Sequence, residues 1–186
     1  MFRRVRRFLR GFPPAPPHNS PPILPEVNHA HRLMDEGKFG EASLAFYDLA
    51  KKAEERFPER APFFYVKAGR AAILSGANKK GVVHFRSALT LLGSQQRYHR
   101  LHQVGMRIVE ELRANGLLEE ANEVESVIRN NAQVPVRKEA GVSGKIILPT
   151  HCPSCGAALR PNEVEWLDEL TAACDYCGSP IRAESQ

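Results

Sequence analysis

The chain has 186 residues, 42% hydrophobic and 25% charged, with a mean hydropathy of −0.37. That is enough for one medium domain, or a small domain plus a minidomain. Its apolar runs reach only a few residues, as in Ile146-Ile147-Leu148, which excludes a transmembrane helix. The net charge of +5 comes from the first twelve residues, where Arg3, Arg4, Arg6, Arg7 and Arg10 meet no acid; the rest of the chain is balanced.

Projected on a helix, Phe2, Val5, Phe8, Leu9 and Phe12 share one face of this tail and the five arginines the other. Residues 1–12 are thus predicted to be a basic amphipathic segment able to lie on an anionic membrane surface. A disordered arm, an organellar targeting sequence, or an arm for nucleic acid or protein are the other readings. Residues 13–25 are rich in proline and are expected to be an extended tether.

From 26 to 133 the chain reads as helical hairpins. Glycine-centred turns recur at Gly37, Gly76 and Gly116, and apolar stripes flank each one. Ala42, Phe46, Leu49 and Ala53 form one stripe; Val82, Phe85, Ala88, Leu89 and Leu92 form a second; Leu118, Ala121, Val124 and Ile128 form a third. Six helices in three stacked pairs follow from this count. The pattern resembles tetratricopeptide repeats, best in the second unit with Tyr65, Ala68, Gly69, Ala72, Gly76, Gly81, Phe85 and Ala88. The turns are spaced more widely than that family's roughly 34 residues. The resemblance implies a protein-binding scaffold; a non-repeating helical bundle is the other reading of the same stripes.

Charge is segregated within this region. Arg60, Lys67, Arg70, Lys79, Lys80, Arg86, Arg97, Arg100 and Arg107 lie in a stretch with no Asp or Glu, and acids cluster before and after it. Such a run marks either a surface for an acidic partner or units that face one another with complementary charge.

Residues 134–147 read as a linker, with a strand-like Lys145-Ile146-Ile147-Leu148 at its end. Residues 148–186 hold all four cysteines, as Cys152-Pro-Ser-Cys155-Gly156 and Cys174-Asp-Tyr-Cys177-Gly178. Two cysteines two residues apart can wrap a turn so that both sulfurs face one ion, and the following glycine permits the bend. Four thiolates match tetrahedral Zn²⁺, and also suit iron. The module resembles a zinc ribbon, with Ala157–Arg160 and Val164–Trp166 expected to form a hairpin about Pro161-Asn162. Disulfides would need an oxidising compartment, and the arginine-rich tail lacks the apolar core of a secretory signal. From Pro149 onward, two arginines face six acids, so the module is expected to meet protein or the basic run of its own chain rather than phosphate.

Other reactive motifs are missing. Gly141-Val-Ser-Gly144-Lys145 lacks both the earlier glycine and the Ser/Thr of a phosphate loop. His29, His31, His84, His99 and His102 read as surface or packing residues. The sequence therefore predicts a mainly α protein of stacked helix-turn-helix, tetratricopeptide-like repeats with a small C-terminal β zinc ribbon. It would be a non-enzymatic protein–protein adaptor, cytoplasmic and able to reach a membrane through its tail, with one structural Zn²⁺ on Cys152, Cys155, Cys174 and Cys177. No catalytic residue, further cofactor or small-molecule substrate is expected. The rival reading is a nucleic-acid-associated factor, with the Arg60–Arg107 surface on phosphates and Phe63, Phe64, Tyr65 or Tyr98 stacking on bases.

Overall fold

The computed structural model describes residues 25–131, 146–160, 164–166 and 170–185. The basic tail, the tether up to residue 24 and most of the linker lie outside the described residues.

Among the described residues six helices run in sequence: α1 Pro25–Asp35, α2 Phe39–Arg56, α3 Ala61–Leu74, α4 Asn78–Ser94, α5 Tyr98–Ala114 and α6 Leu118–Asn131. The first begins one residue earlier than expected, on Pro25. The fixed φ of proline suits a first helical position, where its missing N–H costs nothing. Each helix packs on the next, and α4 also packs on α6. No helix among the described residues is long and apolar enough to cross a membrane.

The turns repeat one geometry. Gly37, Gly76 and Gly116 have φ of 73°, 82° and 78°, and each closes the preceding helix with the same two bonds. At the first turn, the N–H of Gly37 donates to Met34 O and that of Lys38 to Leu33 O. This is the Schellman arrangement, which satisfies carbonyls left over at a helix end and favours glycine in the left-handed region. The α4–α5 turn has the same bonds, from Gln96 N–H to Gly93 O and Arg97 N–H to Leu92 O, but with a non-glycine residue at φ 58°.

Apolar stripes close most of the core as the sequence predicts: Phe46, Phe85 and Leu89 are fully buried, as are Leu101, Ile108 and Leu112 of α5. Leu118 departs from its predicted stripe: it is 60% exposed, because it opens α6 before the helix meets its neighbours, and Ala121, Val124 and Ile128 carry the buried face. Between α3 and α4 the backbones approach so closely that a Cβ on Gly69 would stand 2.5 Å from Phe85 Cε1. Ser43 Oγ donates to Ala68 O at 3.0 Å, tying α2 to α3.

The C-terminal part is a small β structure. Strand β1 Ile146–Ile147 pairs antiparallel with β5 Glu184–Ser185; β2 Glu165–Trp166, β3 Thr171–Ala173 and β4 Pro180–Arg182 form a three-stranded antiparallel sheet in that order. The expected hairpin is replaced by another pairing. Trp166 faces Ala172 across β2–β3, while Ala158 bridges back to His151 and Leu159 N–H donates to Thr150 O. The first knuckle thus recruits the segment after it, leaving β2 to pair with β3. Leu148, Leu159, Val164, Ala172 and Ile181 are buried beside the cysteines, with Trp166 partly buried against them.

Two substitutions should shift stability in opposite directions. Gln96→Gly relieves the left-handed turn residue and is expected to stabilise by about 0.5–1 kcal/mol. Gly69→Ala forces α3 and α4 apart and is expected to cost about 1–3 kcal/mol. Urea midpoints of the two variants against the parent check both signs.

Candidate metal centre

The two knuckles are built alike. Cys152 N–H donates to Ala157 O and Gly156 N–H to Cys152 O; Cys174 N–H donates to Ser179 O and Gly178 N–H to Cys174 O. Gly156 and Gly178 take φ of 69° and 71°, the left-handed region that turns the chain back over its own sulfurs. Facing knuckles bring all four cysteines together, unbonded and buried.

Their four Sγ atoms lie within 4.8 Å of one another. Cys152 Sγ is 3.9 Å from Cys177 Sγ, and Cys155 Sγ is 3.5 Å from Cys174 Sγ. Sulfurs bound tetrahedrally at about 2.3 Å from one zinc stand roughly 3.8 Å apart. The spacing fits a metal and is too long for disulfides, whose sulfurs stand about 2.05 Å apart. Four thiols packed this way cannot all keep ordinary acidities. Hydrogen bonding among them holds Cys152 down, to about 7, and Cys177 well below the usual thiol range, and pushes Cys155 and Cys174 up. A divalent cation resolves this conflict by taking all four as thiolates. Ser179 Oγ stands 3.2 Å from Cys177 Sγ, placed to donate to that sulfur once it is a thiolate. The four cysteines are thus a group able to hold one metal ion.

The centre does not stand apart from the helices. The second knuckle sits against α1 and α3 through the two residues between its cysteines. The Tyr176 ring stacks on His31 with centroids 4.1 Å apart and an interplanar angle of 11°, and its hydroxyl donates to Asn28 Oδ1 at 2.7 Å. His31 Nε2 lies 2.9 Å from Tyr176 O, Asp175 Oδ1 stands 3.8 Å from Lys67 Nζ, and an Arg60 guanidinium N–H donates to Cys177 O. Phe63 lies over Gly178, where a Cβ would come within 2.8 Å of its ring. Lys67 is only 1% exposed; burial pulls its ammonium down to about 8, opposed by the Asp175 carboxylate.

His31, read from sequence as a packing or surface residue, is buried packing with a specific partner. The other histidines among the described residues fall outside the centre. His29, His99 and His102 are exposed, His84 is half-buried near Tyr47 and Tyr65, and His151 is exposed with Nδ1 3.1 Å from Thr150 Oγ1.

Much of the basic run is engaged inside the chain. Two Arg70 nitrogens donate to Glu111 at 2.6 and 2.9 Å, Arg86 pairs with Glu123, and Arg97 donates to Glu59 O at 2.9 Å. Arg100 is buried, whereas Lys79, Lys80 and Arg107 are exposed. Of the aromatic residues proposed to stack on bases, Phe64 and Tyr65 are buried, and Phe63 is covered by the knuckle.

Compared with known protein families, curated proteins and solved structures, the chain gives no significant match to any.

Burial, followed by repulsion from Lys67, lowers the His31 imidazole to about 3, against a favourable hydrogen bond to Tyr176 O. A base depressed in this way stays neutral in the fold while the unfolded chain takes up a proton near pH 6.5. Stability is therefore lost as pH falls from about 6.5 towards 3. In ¹H–¹⁵N spectra of the imidazole nitrogens, His31 should keep its neutral-ring shifts down to pH 5; a titration midpoint near 6.5 would show that the ring is not enclosed by the knuckle.

Proposed function

We propose that this protein is a non-enzymatic protein-interaction adaptor. Tetratricopeptide-like helical hairpins form its scaffold, and a zinc ribbon with one structural Zn²⁺ forms its C-terminal part. The observation that carries this reading is the meeting of four buried cysteine sulfurs within 4.8 Å in a module whose second knuckle is seated on the helices. Four thiolates complete a tetrahedral shell and leave no open position for substrate, as a structural site requires. The module is also too small to bury much apolar surface, so metal binding contributes directly to its folding.

The recurrence of the glycine turns, each closing a helix with the same pair of bonds, supports the repeat reading. An acidic protein partner would meet the exposed Lys79, Lys80 and Arg107 rather than the whole basic run. Burial of Phe64 and Tyr65 weighs against the nucleic-acid alternative, since stacking needs exposed ring faces. Thiols that must stay reduced to bind metal support a cytoplasmic setting, and residues 1–12 are the segment proposed to contact an anionic membrane.

Metal analysis of purified, tag-free protein should find about one zinc per chain. A Cys152→Ser/Cys174→Ser variant should lose it and melt at a lower temperature. Metal-free protein with paired cysteines would overturn both the centre and the compartment. Acidic-partner binding that persists when Lys79, Lys80 and Arg107 are neutralised together would remove the proposed interaction surface.

A further inference from the structure

The contacts of the second knuckle are concentrated on the two residues that its metal-binding cysteines enclose. Asp175 and Tyr176 lie between Cys174 and Cys177, so whatever fixes them also fixes the spacing and aim of two sulfurs. Five groups from the helical part act on this turn. Asn28 and His31 of α1 hold the tyrosine by its hydroxyl, its ring face and its carbonyl. Lys67 of α3 stands against the aspartate. Arg60, just before α3, takes the Cys177 carbonyl, and Phe63 closes over Gly178. None of the five is a cysteine or a candidate ligand.

We propose that metal binding and docking of the knuckle are one coupled equilibrium: the α1–α3 groove holds the second knuckle in its ligating shape, and loss of the metal releases it and uncovers the groove. This rests on the reading of the four cysteines as a metal site. The physical argument is thermodynamic reciprocity. If docking restricts the turn to the conformation the metal needs, it raises metal affinity, and the metal must then raise docking affinity by the same factor. Charge acts in the same direction. Four thiolates on Zn²⁺ carry a net −2, and the ammonium of Lys67 and the guanidinium of Arg60 stand at the edge of that site. Without the metal, four crowded thiols have no common reason to face inward, and the turn loses one of its two restraints. The groove it leaves would present His31, Phe63 and Lys67, a surface fitted to a turn with an acid followed by an aromatic residue.

The test uses the full chain with all four cysteines intact. Zinc affinity is measured by competition with a chelator of known affinity for the parent, for Asn28→Ala and for Lys67→Met. Asn28 is only partly buried and Lys67→Met keeps an unbranched side chain one atom shorter, and circular dichroism of each variant verifies the helices. Residues that orient ligands without binding metal typically affect affinity by about 10–100-fold. Lys67→Met should fall in that range, with a smaller loss for Asn28→Ala. Independently, the parent is treated with diethylpyrocarbonate with and without chelator, and modification is located by mass spectrometry. His31, 2% exposed, should be protected with zinc and modified without it. Unchanged zinc affinity in both folded variants, or a His31 that stays protected after chelation, overturns the coupling while leaving the metal centre standing. A parent that takes up no zinc overturns the metal reading itself.

Discussion

A lysine ammonium enclosed in a helical groove must find counter-charge or give up its proton, and here the nearby acid is supplied by a residue more than a hundred positions away. Lys67 is 1% exposed, and desolvation opposes its charge. Asp175 provides the carboxylate, and it does so from inside a cysteine knuckle. Undocking the cysteine module would take that carboxylate away from the lysine. The stacked His31–Tyr176 pair, the Asn28 bond and the Arg60–carbonyl bond are arranged around the same contact. Packing of the helical part and order in the metal centre therefore meet at one four-residue turn.

This arrangement changes the meaning of the chain's charge pattern. A stretch with nine cations and no acid suggests an open basic surface when read along the sequence. In three dimensions, the acids that follow it return as partners. Arg70 meets Glu111 and Arg86 meets Glu123, pairs separated by roughly the distance between successive glycine turns. The run reflects one pair of helices facing the next, together with the cysteine module. The exposed pair contributes little to stability. The partly buried Arg70–Glu111 fork is worth more, because two parallel bonds fix its geometry and its arginine is largely removed from water.

The features legible in the sequence were those written in local spacing. Glycines 37, 76 and 116 mark helix ends because only their backbone readily adopts the left-handed turn, and the stripes between them mark the buried faces. The knuckles were legible because Cys-x-x-Cys-Gly is itself a complete local structure. The α4–α5 turn gave no such signal, since Gln96 occupies the position glycine holds elsewhere. Strand pairing in the cysteine module differs from the expected hairpin because its strands are only two or three residues long, and backbone bonds of the first knuckle take up the segment after it. The docked knuckle was hidden for a different reason. Nothing local distinguishes Tyr176 or His31 from any other surface aromatic pair, and their contact joins residues separated by 145 positions. Only the acidity of the cysteine module against the basic run pointed to a meeting of the two parts.

One turn is proposed to serve both the metal centre and the helical groove. Site-resolved hydrogen exchange on the intact chain, with zinc and after its removal, tests it most directly. Loss of metal should weaken amide protection in the cysteine module and also in α1 and the first turns of α3, where Asn28, His31, Phe63 and Lys67 lie. Changes confined to residues 146–185, with α1 and α3 unaltered, would contradict it.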